Sequence, residues 1–193
     1  MDIRSAEIED AKEILSIYAP YVEKTAITFE YTTPSLSEME RRIEERKDKY
    51  PFLLLENQGE ILGYAYLSPF KEREAYSWSS ETSIYLKMET RGKGLGTMLL
   101  SSLEKEAEKM NLLSLDACIA MPREETEYLT DQSIRFHEKR GYKRVAHFPQ
   151  SGYKFGRWFD MVWMEKEIGP HTSLPKNVIW YGNVENRLKF QTF

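Results

Sequence analysis

Residues 91–96 read Arg-Gly-Lys-Gly-Leu-Gly, and residues of these types at this spacing suit a phosphate ester. The glycines let the main chain approach a ligand closely and turn several N–H groups the same way. Arg91 and Lys93 add full positive charges. The residues that follow have helical spacing, with Leu95, Met98, Leu99, Ser102 and Leu103 on one face. The glycines therefore lead into a helix N-terminus, whose dipole also favours an anion. Ahead of them, Glu81, Ser83 and Tyr85 alternate with Thr82, Ile84 and Leu86, the period of a strand. From Trp78 to Gly96 the chain reads strand, glycine-rich turn, amphipathic helix.

Which phosphate ligand this unit takes is narrowed by what it lacks. A Walker loop needs a Gly, four residues and then Gly-Lys-Ser/Thr, and that string is missing. A dinucleotide fingerprint needs a glycine where Thr97 stands, and an acidic residue closing the next strand, whereas Asp116 lies mid-strand. The form Arg-Gly-Lys-Gly-Leu-Gly, a short connection after a strand, resembles instead the pyrophosphate loop of the GNAT acyl-CoA-dependent N-acetyltransferases. The resemblance implies acetyl-CoA as cosubstrate and no metal. It implies donor contacts from Ile84, Tyr85 and Leu86 on the strand, and from Arg91, Gly92, Lys93, Gly94, Leu95, Gly96 and Thr97 around the loop. Thr130, Ser133 and Phe136 complete the implied set further along the chain.

Acetyl transfer to an amine has three demands. An ammonium must lose its proton, the thioester carbonyl must be polarised, and the departing thiolate must be neutralised. Glu81 lies on the strand that leads to the loop, where a carboxylate can take the amine proton, and partial burial would raise its pKa usefully. Backbone amides near Tyr85 and Leu86 could bond the carbonyl. His137, in Phe-His-Glu-Lys-Arg-Gly-Tyr, can act as acid or base near neutral pH. The plainer alternatives are a solvated strand glutamate and a packed helical histidine.

Four segments carry a closer resemblance: TTPSLSEMERRI, GYAYLSPFKEREAYSWSSETSIYL, SIRFHEKRGY and GYKFGRWFDMVWMEK. Together they are similar to the phosphinothricin acetyltransferase family, over about residues 2–168. That family acetylates the α-amine of glutamate-like and methionine-derived compounds, including phosphinothricin and methionine sulfoximine or sulfone. On matching positions the resemblance puts the catalytic glutamate at Glu81 and the catalytic histidine at His137, with Lys71, Arg73 and Tyr76 in the substrate loop. An arginine fork there can take a carboxylate or phosphinate in two parallel hydrogen bonds. Phe29 is a further candidate for the acceptor pocket, and the resemblance implies a homodimer. The chain departs from the family after Pro122, where Arg123 replaces an expected asparagine and Ser133 arrives only after an insertion, leaving Thr130 in the asparagine's place. Two other readings stay open: an acetyltransferase acting on a protein N-terminus or lysine, and a non-catalytic acyl-CoA-binding sensor.

The elements that must position these residues can be read in order. Met1–Ser5 is a first strand, and Asp10 is a candidate N-cap for a helix carrying Ala11, Ile14, Leu15 and Tyr18, interrupted near Pro20. Ser35 with Glu38 makes a capping box for a second, highly charged helix. Strands at 52–56 and 61–68 flank a hairpin turn, Asn57-Gln58-Gly59-Glu60. A strand at 113–120 puts Leu113, Leu115, Ala117 and Ile119 on one face and Cys118 on the other. A polar loop follows, then a short helix over 131–140 closed by Gly141. Strands at 142–148 and 159–166 enclose a loop, and the tail from Gly169 carries Trp180, Tyr181, Phe190 and Phe193, which suggest packing. The resemblance makes this an α+β GNAT fold, a mixed, mostly antiparallel sheet with helices on both faces. It divides the chain into a domain over 1–168 and an extension over 169–193.

The chain has 193 residues, 41% hydrophobic and 30% charged, which suits one well-packed domain. A net charge of −4 argues against a general nucleic-acid binder. No apolar run approaches the ~18–20 residues of a membrane span, and the charged N-terminus does not read as a signal peptide. A lone Cys118 excludes an internal disulfide, and three scattered histidines offer no metal cluster. The expectation is a cytoplasmic enzyme acting on a small-molecule amine, without nucleic acid or membrane partners.

Overall fold

The computed structural model describes residues 1–183, so Phe190 and Phe193 lie outside the described residues. Seven strands form one sheet: β1 (Asp2–Ser5), β2 (Phe52–Asn57), β3 (Glu60–Pro69), β4 (Ser79–Leu86), β5 (Ser114–Met121), β6 (Lys143–Lys154) and β7 (Arg157–Glu167). Their spatial order is β1-β2-β3-β4-β5-β7-β6, antiparallel throughout except for β4 and β5. That parallel pairing is short. It joins Ser79 to Ser114 and ends at Glu81 opposite Asp116, although both strands run on for five more residues. Beyond the last rung the two strands part, and the gap between them organises the site.

Among the described residues, four helices cover the sheet: α1 (Ala11–Lys24), α2 (Leu36–Lys47), α3 (Leu95–Lys109) and α4 (Gln132–Glu138). The apolar run Phe-Leu-Leu-Leu that opens β2 shows why helices lie on both faces. Phe52 and Leu54 join Ile14, Ile17 and Ile43 on the α1–α2 side, while Leu53 and Leu55 join Leu99, Leu100 and Leu103 of α3. A central strand buried on both faces needs exactly such an uninterrupted run rather than alternation. The expected mixed, mostly antiparallel sheet with helices on both faces is the one observed.

Several local expectations are corrected. Pro20 does not interrupt α1, which runs to Lys24. Its missing N–H costs about 3 kcal/mol in a helix interior, but Tyr21 and Val22 beyond it are buried and their packing holds the last turn. The Asp10 carboxylate does not cap α1. It accepts from the Glu7 N–H at 2.9 Å and from Arg4 at 2.7 and 2.8 Å. The Ser35 hydroxyl accepts from the Glu38 N–H at 3.2 Å, but the Glu38 side chain turns away to Arg41 and Arg42, so only half the capping box forms. Met98 is 42% exposed, and Leu100 takes its place on the buried face of α3.

The largest correction concerns the last hairpin. β6 and β7 extend through the expected loop to a turn at Phe155-Gly156, both with positive φ, as a two-residue type I′ turn requires. A register shift between Phe148 and Gly152 accommodates Pro149 and breaks the alternation that would have revealed the strand. The tail packs as expected where it is described. Its Ile179 and Tyr181 N–H groups bond Met110 and Lys49 carbonyls, and Trp180 meets the Tyr50 ring edge-on.

Candidate active site

The glycine-rich turn works through backbone conformation. Gly92 and Gly94 have φ of 77° and 82°, yet a Cβ at either would meet nothing within 4 Å. Glycine is therefore required there by the left-handed backbone and not by crowding. Gly94 sits at the N-cap of α3, and its carbonyl accepts from the Thr97 and Met98 N–H groups. The N–H groups of Leu95 and Gly96 precede any helical acceptor and are left to bond an anion. Arg91 lies over the Tyr21 ring at 4.8 Å, which holds its guanidinium beside the turn.

A cavity of about 340 Å³ opens beside this turn. Arg91, Gly92, Gly94, Gly96 and Thr97 line one side, Ile84 and Leu86 the floor, and Thr130, Ser133 and Phe136 the side towards α4. Three expected donor residues do not line it: Leu95 is buried in the core under α3, Lys93 is exposed, and the Tyr85 ring packs against Tyr18 and Tyr21. Tyr21, Ile27 and Gln132 line it without having been singled out from the sequence. A smaller space of about 60 Å³ fills the gap between β4 and β5. It shares Ile27, Ile84 and Ser133 with the first, so the two form one path from the turn to the parted strands.

The strand register decides which backbone groups face that path. The Lys87 N–H bonds the Leu62 carbonyl on β3, so Tyr85, two residues earlier, also directs its main chain to β3. Ile84 and Leu86 direct theirs to the gap. The Tyr21 hydroxyl answers Leu86 there, donating to its carbonyl at 2.6 Å and accepting from its N–H at 3.2 Å.

The two candidate proton carriers approach the gap from opposite faces of the sheet. His137 is 3% exposed on α4 and lines the gap with Thr82 and Ala117. Its Nδ1 lies 2.8 Å from the Ser133 carbonyl, which can only accept, so Nδ1 carries the proton and Nε2 keeps a lone pair. Burial pushes its pKa down against that hydrogen bond, and the ring is neutral at pH 7. Glu81 lies on the other face, with Ser83, Cys118 and Lys71, and lines neither cavity; it stands beside the mouth of the gap. Burial raises its pKa, opposed by the Lys71 charge.

The expected acceptor residues divide. The Lys71 ammonium lies over the Phe70 and Trp163 rings at 5.1 and 5.5 Å, which places it on the Glu81 face. Arg73 and Tyr76 are exposed on the same connection, Tyr76 edge-on to Phe70. Phe29 packs further off, against Phe159 and Leu129, where a Cβ on Gly152 would come within 2.2 Å of its ring. Lys154 fixes this seam, its Nζ donating to the carbonyls of Val22, Thr25 and Thr28 at 2.7–2.9 Å. The inserted segment joins it: the Tyr128 carbonyl accepts from Ala26, and its ring stacks on Phe155.

Comparison with known proteins gives a consistent result. The family described as "Acetyltransferase (GNAT) domain" matches residues 3–163. The chain is 30% identical over 168 residues to phosphinothricin N-acetyltransferase of Streptomyces viridochromogenes, covering 87% of this chain and 88% of that one. It is 33% identical to the L-methionine sulfoximine/L-methionine sulfone acetyltransferase of Pseudomonas aeruginosa, covering 90% and 98%. Among solved structures, a GNAT superfamily phosphinothricin acetyltransferase from Sinorhizobium meliloti in complex with acetyl-CoA superposes with a TM-score of 0.84 at 32% identity, over 95% of this chain and 97% of that one.

Proposed function

The chain belongs to the GNAT acetyltransferase family and is an N-acetyltransferase that uses acetyl-CoA; from that premise we propose that it acetylates the amine of a small, anionic, amino-acid-like molecule of the phosphinothricin or methionine sulfone/sulfoximine type. The observation that carries the reading is Glu81, half-buried at the mouth of the gap with its proton affinity raised, beside an exposed loop on which Lys71 and Arg73 alternate with Glu72 and Glu74. The domain over 1–168 does this work, with the tail from 169 as packing. The resemblance to small-molecule acetyltransferases and the single free thiol support a cytosolic enzyme, and the exposed Val145, Phe148 and Trp158 on β6–β7 support a homodimer.

Each part then has a physical task. The N–H groups of the 91–96 turn and Arg91 hold the pyrophosphate of acetyl-CoA. Its arm runs along the path past Ile84 and Leu86, where it can pair with the Ile84 backbone groups in place of the missing strand, those of Leu86 being held by the Tyr21 hydroxyl. The thioester lies in the gap. Lys71, Arg73 and Tyr76 orient the acceptor's anionic end. Glu81 takes a proton from the ammonium, directly or through water, and the freed amine attacks the carbonyl carbon. The C–S bond then breaks and the thiolate takes a proton. His137, neutral with Nε2 as the acceptor nitrogen, can take the second proton that the attacking nitrogen sheds on becoming an amide and hand it to sulfur.

Thiol release from acetyl-CoA tests this against phosphinothricin, methionine sulfone, methionine sulfoximine, free amino acids, polyamines and a lysine peptide. Turnover is expected with one of the first three. Turnover with the lysine peptide alone would replace the acceptor class, and coenzyme binding without any turnover would leave only a sensor.

A further inference from the structure

The last rung of the parallel ladder sets Glu81 beside Asp116. Across β5's other edge, the antiparallel register sets Asp116 opposite Glu165 of β7. Register partners share a face and adjacent strands lie about 4.8 Å apart, so three carboxylates form a row on β4, β5 and β7. Asp116, in the middle, is only 6% exposed. The Thr82 hydroxyl bonds the Asp116 backbone carbonyl at 3.0 Å, and among the described residues no donor bonds its carboxylate. A buried carboxylate without a donor resists ionisation, and an ionised neighbour on the next rung adds to that resistance. The row ends where β4 and β5 part, at the place where an acceptor amine would lose its proton.

We propose that Asp116 is a positioning residue for acetyl transfer: it and Glu81 bind protons as one unit, so that the proton leaving the substrate's ammonium enters the pair and not Glu81 alone. The inference rests on the reading of Glu81 as the base. In balance, the ammonium N–H bond breaks, an O–H bond forms on Glu81, and the pair passes from no proton to one. After the C–S bond breaks, that proton leaves for the thiolate or for water, and the pair is reset. Two coupled carboxylates release their protons in two steps, and the upper step belongs to the pair. That upper step lies above that of either carboxylate alone in the same setting, which brings the base towards neutral pH.

The charges around Asp116 agree. Burial first, then the Glu165 and Glu81 carboxylates, push Asp116 up to about 7. The other groups facing this row are Lys71 from the β3–β4 connection, Cys118 on β5 itself and Lys143 of β6, which pairs with Glu165. Before β6 stands the Tyr142 phenol, whose ionisation the Asp116 charge also opposes. Burial and the Glu81 charge raise the Cys118 thiol to about 11, so it stays protonated and does not compete for the proton.

The test is the pH profile of kcat/KM for the wild type, Asp116→Asn, Glu165→Gln and Glu81→Gln, with melting temperature and acetyl-CoA affinity measured alongside. Asp116→Asn keeps the shape and removes the second titration. Its acid limb should fall by about one pH unit or more, with acetyl-CoA affinity unchanged. A folded Asp116→Asn whose limb stays in place overturns the pair, even if its rate drops. If that variant fails to fold, Glu165→Gln decides: removing the outer carboxylate should move the limb the same way by less, and an unmoved limb overturns the pair. Glu81→Gln separates the two levels of argument. If it loses activity while the Asp116→Asn limb is unmoved, the base stands and the pair falls. If it keeps its rate, the base reading fails and takes the pair with it.

Discussion

The donor half and the acceptor half of the site are built by different means. The proposed donor half is continuous in sequence for its anion-binding part, from Ile84 through the turn into α3, with Tyr21 and residues 130–136 added from elsewhere, and it would bind through backbone N–H groups and two positive-φ glycines. The proposed acceptor half gathers Lys71, Glu81, Asp116 and Trp163 from the β3–β4 connection, β4, β5 and β7, and would work through side-chain charge. A backbone site has one geometry and suits the pyrophosphate, which is the same in every turnover. A side-chain site is tuned by burial and by neighbouring charges, and there one substitution changes the chemistry without disturbing the fold. The two halves should therefore fail separately.

The largest failure is expected from Glu81→Gln. It removes the base and keeps the shape, so kcat should fall by about 10²–10⁴ while acetyl-CoA affinity, measured by titration calorimetry, stays within about twofold. A comparable loss of coenzyme affinity would make Glu81 a structural part of the donor half and erase the division.

Gly94→Ala attacks the other half. Its Cβ meets no neighbour, so the whole cost is the left-handed backbone, about 1–2 kcal/mol. Acetyl-CoA affinity should fall about tenfold as the turn relaxes, with the acceptor KM unchanged at saturating coenzyme. Gly94→Asn should lose less, because asparagine tolerates positive φ better than alanine. Equal losses for the two would show that space, and not backbone, matters at this turn.

The same contrast explains what could be read from the sequence. The turn, its strand and its helix were legible because glycine spacing and hydrophobic period are local signals. Tyr21 was not, since its part depends on a hydroxyl reaching Leu86, which lies 65 positions along the chain. Asp116 stood out only as an acid in an apolar strand, and its neighbours Glu81 and Glu165 are set by strand order, which no local pattern contains. The two last strands were legible, but their extension through residues 149–158 was missed because the bulge hides the alternation. The side-by-side distance of Glu81 and His137 was likewise hidden: both were expected near the reacting atoms, but they reach the gap from opposite faces.

The smallest effect expected is also the finest test of the acceptor half. The Lys71 charge favours ionised Glu81, opposing the rise that burial causes. Lys71→Met keeps an apolar stem against Phe70 and Trp163 and removes the charge, so the Glu81 pKa should rise further. The acid limb of kcat/KM should then move to higher pH, by about half a unit, opposite in sign to Asp116→Asn. Lys71 is exposed, so its influence is open to screening, and at about 1 M salt the Debye length is only ~3 Å. Concentrated salt should therefore move the wild-type limb towards that of Lys71→Met, while the displacement in Asp116→Asn, which arises between a buried and a half-buried group, should survive it better. An unmoved limb in Lys71→Met would mean that Lys71 does not act on Glu81 in solution, and that the loop serves the acceptor's anion alone.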